Sequence, residues 1–274
     1  VGVSYILITL VSLCWGMVGS FMPSRAFDYE PTKIPDRLVL GNYQKVWKEF
    51  YVIVAKAHKT YWLEGLFFNA FIYSLGCSCV SVLVCSLTAY IAAQYNFKFS
   101  AILCGAVLFA MSFPVIGTMV GELAILKFLN LHDTLVGVLM LKAHFLGTYF
   151  FVFYATFKNV PKSYAEAARM DGAGHASILF KIYYPIAFNA ILTVVLLYFI
   201  QYWNDYQTPL IFLPSMPTVS YGLFLYNNRG GAEAPFTTHK LAASILVLLP
   251  VLIVFLIFQK RLIGKISLSG GVKE

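Results

Sequence analysis

The chain has 274 residues, of which 59% are hydrophobic and only 12% charged, with a formal net charge of +8. Soluble domains are about 25% charged, so this composition excludes an ordinary soluble enzyme or binding module and points to one membrane domain. The positive balance does not point to nucleic acid. Its Lys and Arg are scattered at the ends of apolar runs, where they suit lipid headgroups, and they form no basic aromatic face.

Crossing the hydrocarbon core takes about 20 apolar residues as a helix. In lipid only helices and closed barrels pair all their backbone groups, and no barrel-like alternation is present. Apolar runs at 1–22, 66–93, 101–121, 134–157, 186–210 and 241–258 therefore predict an all-α bundle of about six transmembrane helices, one domain over 1–274. The first run lacks a small-residue cleavage site and is read as a retained span. Because the sequence does not begin with Met, a cytoplasmic N-terminal extension is an expectation. The 24 Phe and 18 Tyr suit lipid contact and interfacial belts.

Between the first two runs, an outer loop at 23–64 opens with Pro31 and Pro35. From Asn42 it is predicted to continue as a membrane-surface helix, with Tyr43, Val46, Trp47, Phe50 and Val54 at roughly helical spacing. Pro114 interrupts the third run, where a missing backbone donor kinks a helix. Lys142 and His144 lie inside the fourth run. A Lys at a helix centre costs about 2.5–3.5 kcal/mol on insertion scales, so Lys142 is expected to face a cavity or to snorkel outward. Trp203, Asn204 and Asp205 sit near the outer part of the fifth run. They fit an interfacial belt residue with a polar cap. A second outer loop follows at 211–240, with Gly222, Asn227, Asn228, Gly230 and Gly231. Cys14, Cys77, Cys79, Cys85 and Cys104 all fall in apolar runs, and Cys77 and Cys79 are too close for a typical zinc pair. They read as small hydrophobes, with no metal site.

The one long polar segment between two spanning runs is 158–185, KNVPKSYAEAARMDGAGHASILFKIYYP. Pro161 suits a first helical turn. Ser163 and Glu166 have capping-box spacing. Ala165, Ala167 and Ala168 favour helix and leave a surface that another backbone can approach. Gly172 and Gly174 are expected to stop the helix. A short capped helix between two spans looks like a docking element, although Glu166 alone fits a capping role.

Glu166-Ala167-Ala168, then Asp171-Gly172-Ala173, then Ile182 and Pro185, resemble the EAA loop of ATP-binding-cassette (ABC) importer permeases. Trp203-Asn204-Asp205-Tyr206 with Pro209-Leu210, and the tail Gly270-Gly271-Val272-Lys273, are similar to the carbohydrate branch, in particular the second permease subunit of the maltose type. The resemblance implies a multi-pass subunit of the bacterial cytoplasmic membrane whose loop 158–185 and tail 259–274 are cytoplasmic. It implies ATPase coupling through Tyr164, Glu166, Ala167, Ala168, Asp171, Gly172 and Gly174. Lys142, His144, Trp203, Asn204 and Asp205 become candidates for the pathway or the subunit seam, with Asn204, Tyr202 and Tyr206 as possible sugar contacts. The implied partners are a second, non-identical permease, an ABC ATPase dimer that holds the ATP and Mg, an extracellular solute-binding protein reached by the loop 211–240, a sugar substrate and the membrane. No cofactor, metal or nucleic acid is implied for this chain.

Orientation rests on that resemblance, because the outer loop 23–64 carries Arg25, Lys33, Arg37, Lys45, Lys48, Lys56 and Lys59, against the positive-inside tendency. No GxxxxGK[ST] occurs, so the chain is not the ATP-hydrolysing engine, and neither HExxH nor GxSxG is present. Two alternatives stay open: an importer permease for another small solute, and an intramembrane enzyme using His144 and Lys142.

Overall fold

The computed structural model describes residues 2–35, 37–55, 58–95, 98–112 and 117–263. The chain opens with α1 (Gly2–Ser20), α2 (Ser24–Tyr29), α3 (Gly41–Glu49) and a hairpin of β1 (Tyr51–Val54) and β2 (Lys59–Trp62). There follow α4 (Leu63–Gln94), α5 (Lys98–Ser112), α6 (Thr118–Phe128), α7 (Leu135–Lys142), α8 (Thr148–Lys158), α9 (Lys162–Met170) and α10 (His175–Ile178). A π-helical turn, Leu179–Tyr183, leads into α11 (Tyr184–Trp203), then α12 (Gln207–Phe212), α13 (Val219–Asn227), a 3-10 turn at Gly231–Glu233 and α14 (Thr237–Ile263). The segments Leu63–Gln94, His175–Trp203 and Thr237–Gln259 are each long and apolar enough to cross a bilayer unaided, and Ser4–Ser20 and Ser100–Ser112 are shorter apolar helices. The chain divides into two units, one of Val1–Phe71 with Trp203–Phe258, the other of Ile72–Tyr202 with the segment from Gln259.

In the first unit the segments 23–64 and 211–240 are more structured than their sequence suggests. α3 buries Val46, and Phe50 just past its end is also buried, whereas Trp47 of the same spacing is exposed. The helix stops at Phe50, whose extended backbone (φ −87°, ψ 91°) turns the chain into β1. Val54 is therefore the end of a strand rather than a helical position, paired with Lys59 across the hairpin. β1 alternates as a half-buried strand should, with Val52 and Val54 inside and Ile53 outside. Asn42 is buried rather than on the membrane surface, and its amide donates to the carbonyls of Ser20 (2.7 Å) and Met22 (2.9 Å). The Ser20 carbonyl belongs to the last turn of α1, where the helix leaves its acceptors unpaired, and Met22 lies two residues beyond it. The segment 211–240 likewise carries helical structure with buried side chains. α13 starts at Thr218, whose hydroxyl accepts from the Tyr221 backbone N–H, and it buries Val219 and Tyr226.

In the second unit α4 carries Ser74, Cys77, Ser78, Ser81, Cys85, Ser86 and Ala89 buried at 3–4-residue spacing. Small side chains let helices approach closely in lipid, and hydroxyls then bond across the seam. Ser81 pairs with the Tyr202 hydroxyl and Ser86 with that of Tyr184, each at 2.8 Å. Buried Cys77 and Cys85 share this stripe as free thiols.

Three expected spans are interrupted. α5 ends at Ser112 and α6 restarts after Gly117, a left-handed residue (φ 87°); Pro114 itself lies outside the described residues. The run 134–157 is not one helix. α7 ends at Lys142, and α8 begins after Gly147, whose φ of 144° favours glycine. The fifth run also divides, since α11 ends at Trp203 and α12 restarts at Gln207. The π turn before α11 has a local cause. Pro185 has no N–H for the carbonyl four residues back and its ring crowds that carbonyl, so the preceding turn widens. Lys56, Lys265 and the tail glycines Gly270 and Gly271 lie outside the described residues.

Candidate functional site

The polar segment forms a short exposed helix whose ends are set by its sequence. Pro161 stands one residue ahead of α9, as its N-cap (φ −57°, ψ 132°), where the lack of an N–H costs nothing. Ser163 is consequently the second helical residue, and no side chain caps the helix. The expected Ser163–Glu166 capping box does not form, because such a box needs its Ser at the N-cap. The other end follows the expectation closely. Gly172 is left-handed (φ 80°), its N–H reaches Arg169 O at 3.0 Å, and Ala173 N–H reaches Ala168 O at 2.8 Å. These are the two bonds of a Schellman cap. Gly174 is extended (φ −75°, ψ 165°) and opens α10 rather than closing α9.

Only Ala165 of α9 is buried, with Ala168 half-buried. Tyr164, Glu166, Ala167, Asp171, Gly172 and Gly174 are all exposed, and Met170 is 88% exposed. The helix is therefore an outward face with a narrow footing. That footing is reinforced by Gln94, in the last turn of α4. Its amide N–H donates to the Phe157 carbonyl at the end of α8, while its side-chain oxygen accepts from the Tyr183 hydroxyl in the π turn. Phe157 and Tyr183 are fully buried. One residue on, the Tyr95 hydroxyl meets Nδ1 of His175 at 2.6 Å. α4 thus grips the chain both before and after α9.

Lys142 and His144 sit at the break between α7 and α8 and line a cavity of about 420 Å³ with Tyr149, Tyr198, Gln201 and Tyr202. The Lys142 ammonium lies 5.4 Å from the centre of the Tyr202 ring. Tyr198 stacks on Tyr202 at 5.6 Å, and Tyr149 meets Tyr198 edge-on at 4.7 Å. Ser81 donates to the Lys142 carbonyl at 2.9 Å, which leaves Tyr202 as donor in the Ser81–Tyr202 hydroxyl pair.

Trp203, Asn204 and Asp205 belong to the other unit, and two of them have evident structural work. Trp203 is 3% exposed, its indole donates to the Val247 carbonyl (3.1 Å), its own carbonyl accepts from Ser220, and its ring stacks on Phe67. It is a core anchor rather than an interfacial belt residue. Asp205 accepts from the Thr208 N–H at 3.0 Å and so starts α12. Asn204 is exposed. Gln94, Ser81 and Tyr183 were not singled out by sequence reasoning. The only signal was a polar residue closing an apolar run, or a hydroxyl within one.

The sequence matches the family described as binding-protein-dependent transport system inner membrane component over residues 86–268. Among characterised relatives, it is 28% identical over 214 residues to the trehalose transport system permease SugB of Mycobacterium tuberculosis, covering 76% of this chain and 78% of that one. It is 30% identical over 210 residues to the arabinooligosaccharides transport system permease AraQ of Bacillus subtilis, covering 76% and 73%. The Escherichia coli inner membrane ABC transporter permease YcjP is 26% identical over 277 residues, covering 98% and 93%. The fold is that of a chain in the crystal structure of a bacterial ABC transporter involved in importing the acidic polysaccharide alginate, with TM-score 0.71 at 23% identity over 94% of each chain.

Proposed function

Because this chain belongs to the family of binding-protein-dependent transport system inner membrane components, we propose that it is the transmembrane permease subunit of a bacterial ABC importer for a carbohydrate. In this reading it contributes half of the translocation pathway, paired with a second, non-identical permease. It performs no chemistry itself, and ATP and Mg are held by a separate ATPase dimer. Relatives named for trehalose and arabino-oligosaccharides support the choice of carbohydrate.

The observation that carries the reading is the exposure of α9 together with its anchoring. A nine-residue helix with one buried residue has little reason to hold its shape for its own sake. Held by α4 on both sides, it suits the transmission of force from an ATPase cleft to the spans. Tyr164, Glu166, Ala167, Ala168, Asp171 and Gly172 would make the contact, with Gly174 starting the return. The Schellman cap fixes where the chain turns back. ATP-driven closure would then shift the population between inward- and outward-open states. The structured outer loops 23–64 and 211–240 suit reception of a solute-binding protein, and the tail from Gln259 suits the ATPase interface.

The test is co-purification of an ATPase with this chain and its neighbouring permease, followed by ATP hydrolysis in vesicles with and without a sugar-loaded binding protein. Stimulation by the loaded binding protein is the expected result. A chain that recruits no ATPase refutes the reading.

A further inference from the structure

The end of α4, the start of α5 and the end of α8 meet beside the start of α9, all within the second unit, and border a cavity of about 600 Å³. Gln94 and Tyr95, Cys104, Tyr154, Lys158 and Lys162 are on its wall. One end of the cavity is cationic. The Lys158 ammonium lies 3.4 Å from the Tyr154 hydroxyl and 5.2 Å from the centre of that ring. A lysine closing a span ordinarily snorkels outward to water, whereas this one folds back over the preceding turn. An ammonium has three donors, and the Tyr154 hydroxyl takes one. No Asp or Glu is among the described residues lining the cavity. The chain around it, 94–104 with 154–181, carries Lys98, Lys158, Lys162, Arg169 and Lys181 against Glu166 and Asp171. Of these, Arg169 bears electrostatically on Tyr183, and neither acid does. The other end is apolar. Ala101 and Cys104 line the cavity, and Gly105 and Leu108 follow four residues on, along the same face of α5. Gly105 and Leu108 are exposed, and no atom lies within 4 Å of where a Gly105 Cβ would stand. Cations at a span end, with an open apolar groove leading along the helix, match a molecule with an anionic head and a long apolar tail. Basic pockets between spans take such headgroups.

We propose that this cavity holds an anionic phospholipid, with phosphate oxygens on Lys158 and Lys162 and an acyl chain along Cys104, Gly105 and Leu108 of α5. The Gln94 and Tyr95 side chains that hold the segments on either side of α9 also stand on the cavity wall, so the bound lipid borders the anchor of that helix. The proposal rests on the membrane placement of this family and is independent of the transported substrate.

The test uses the full chain, with the partners that co-purify, in phosphatidylcholine nanodiscs. Cys14 and Cys79 are replaced by Ser, which leaves Cys104 on the cavity wall as the accessible thiol, since Cys77 and Cys85 are buried. Added phosphatidylglycerol is expected to slow labelling of Cys104 by an uncharged maleimide. Inorganic phosphate and glycerophosphate are not, because they lack the acyl chain. Lys158→Gln or Lys162→Gln is expected to raise the phosphatidylglycerol fraction that gives half-protection about fivefold, the loss of one cation's attraction for an anionic lipid, while Lys158→Arg keeps the wild-type value. Labelling unchanged by phosphatidylglycerol overturns the proposal, and that comparison needs no substitution at either lysine. Equal protection by inorganic phosphate assigns the cavity to a soluble anion and also overturns it. So does a half-protection value indifferent to both Gln variants, which marks a general effect of the charged surface. Failure to recruit an ATPase strikes the importer reading instead and leaves these outcomes as they stand.

Discussion

Tyr183 donates its hydroxyl to the side-chain oxygen of Gln94 at 2.8 Å, and the same amide donates to the Phe157 carbonyl at 2.5 Å. One side chain on α4 thereby fixes both arms of the segment that carries α9. Gln94→Met would strand two buried partners, and each unpaired buried group costs about 1–3 kcal/mol. Tyr183→Phe would remove one of the two bonds. In a double-mutant cycle the pair is expected to be non-additive by about 0.5–3 kcal/mol, as contacting residues are. Gln94→Met is also expected to keep basal ATP hydrolysis while losing its stimulation by loaded binding protein. Additive stabilities, with normal stimulation in both variants, would show that the bonds carry no coupling.

Gly172 ends α9 in a left-handed conformation (φ 80°), and no atom lies within 4 Å of where a Cβ would stand. Space is therefore not the constraint; the backbone is. A non-glycine residue in this region costs about 1–3 kcal/mol, with a β-branched side chain at the upper end. Gly172→Val is expected to permit membrane insertion yet abolish substrate-stimulated ATP hydrolysis, because the chain can no longer turn back at the same point. Gly172→Asn is expected to retain much of it, since Asn tolerates this conformation. Normal stimulation in Gly172→Val would remove α9 from the coupling path.

What could be read in advance follows from how each signal acts. Apolar length is a property of composition, so the long helices α4, α11 and α14 were legible, and so was Gly172, whose missing side chain has a direct backbone meaning. The α7–α8 break was not. Lys142, His144 and Gly147 all mark it, but a Lys and a His inside an apolar run read as side chains of a continuous helix as readily as a helix end. Trp203 illustrates a second limit. A tryptophan near a span end has the same local sequence whether it sits in an interfacial belt or donates to Val247 in a core. The hairpin after Phe50 and the burial of α13 depend on long-range partners, which periodicity within 23–64 or 211–240 does not encode.

Gly222 on α13 is a packing position. A Cβ there would stand 2.9 Å from Leu66 Cδ1, 3.2 Å from Phe50 Cε2 and 3.3 Å from Val52 Cγ2. Leu66, Phe50 and Val52 are all buried, so they have little room to withdraw. Overpacking of this kind typically costs about 1–3 kcal/mol. Gly222→Val is expected to lower the thermal midpoint of the purified protein in detergent, while Gly230→Ala, with open space at its Cβ, should leave it unchanged. Equal midpoints for Gly222→Val and wild type would mean that α13 can shift away from the hairpin at no cost.

Tyr226, also on α13 and outside the spans, gives a pH-dependent prediction. Its ring is 1% exposed, lies 5.1 Å from Phe50 and carries the Arg229 guanidinium at 5.1 Å, yet its hydroxyl has no hydrogen-bond partner among the described residues. Burial pushes the phenol up from 10.0 to about 12, with Glu49 adding to the shift and Arg229 opposing it. Between those two values the unfolded chain loses its phenolic proton while the folded chain keeps it. The stability contributed by the neutral phenol is thus complete below pH 10.0 and drains away as the pH climbs to about 12. The slope is at most about 1.4 kcal/mol per pH unit. Tyr226→Phe keeps the ring contacts and removes an unpaired polar group, so at neutral pH it is expected to be neutral or stabilising by about 1 kcal/mol. Above pH 10 its advantage over wild type should widen. Tyr226→Ala loses the contacts with Phe50 and Arg229 and should cost about 3–5 kcal/mol below pH 10, a deficit that shrinks above it because the variant has no phenol to titrate. Denaturation of the wild type and both variants across this range measures the difference directly, and a Tyr226→Phe protein less stable than wild type at neutral pH would reveal that the hydroxyl has a partner after all.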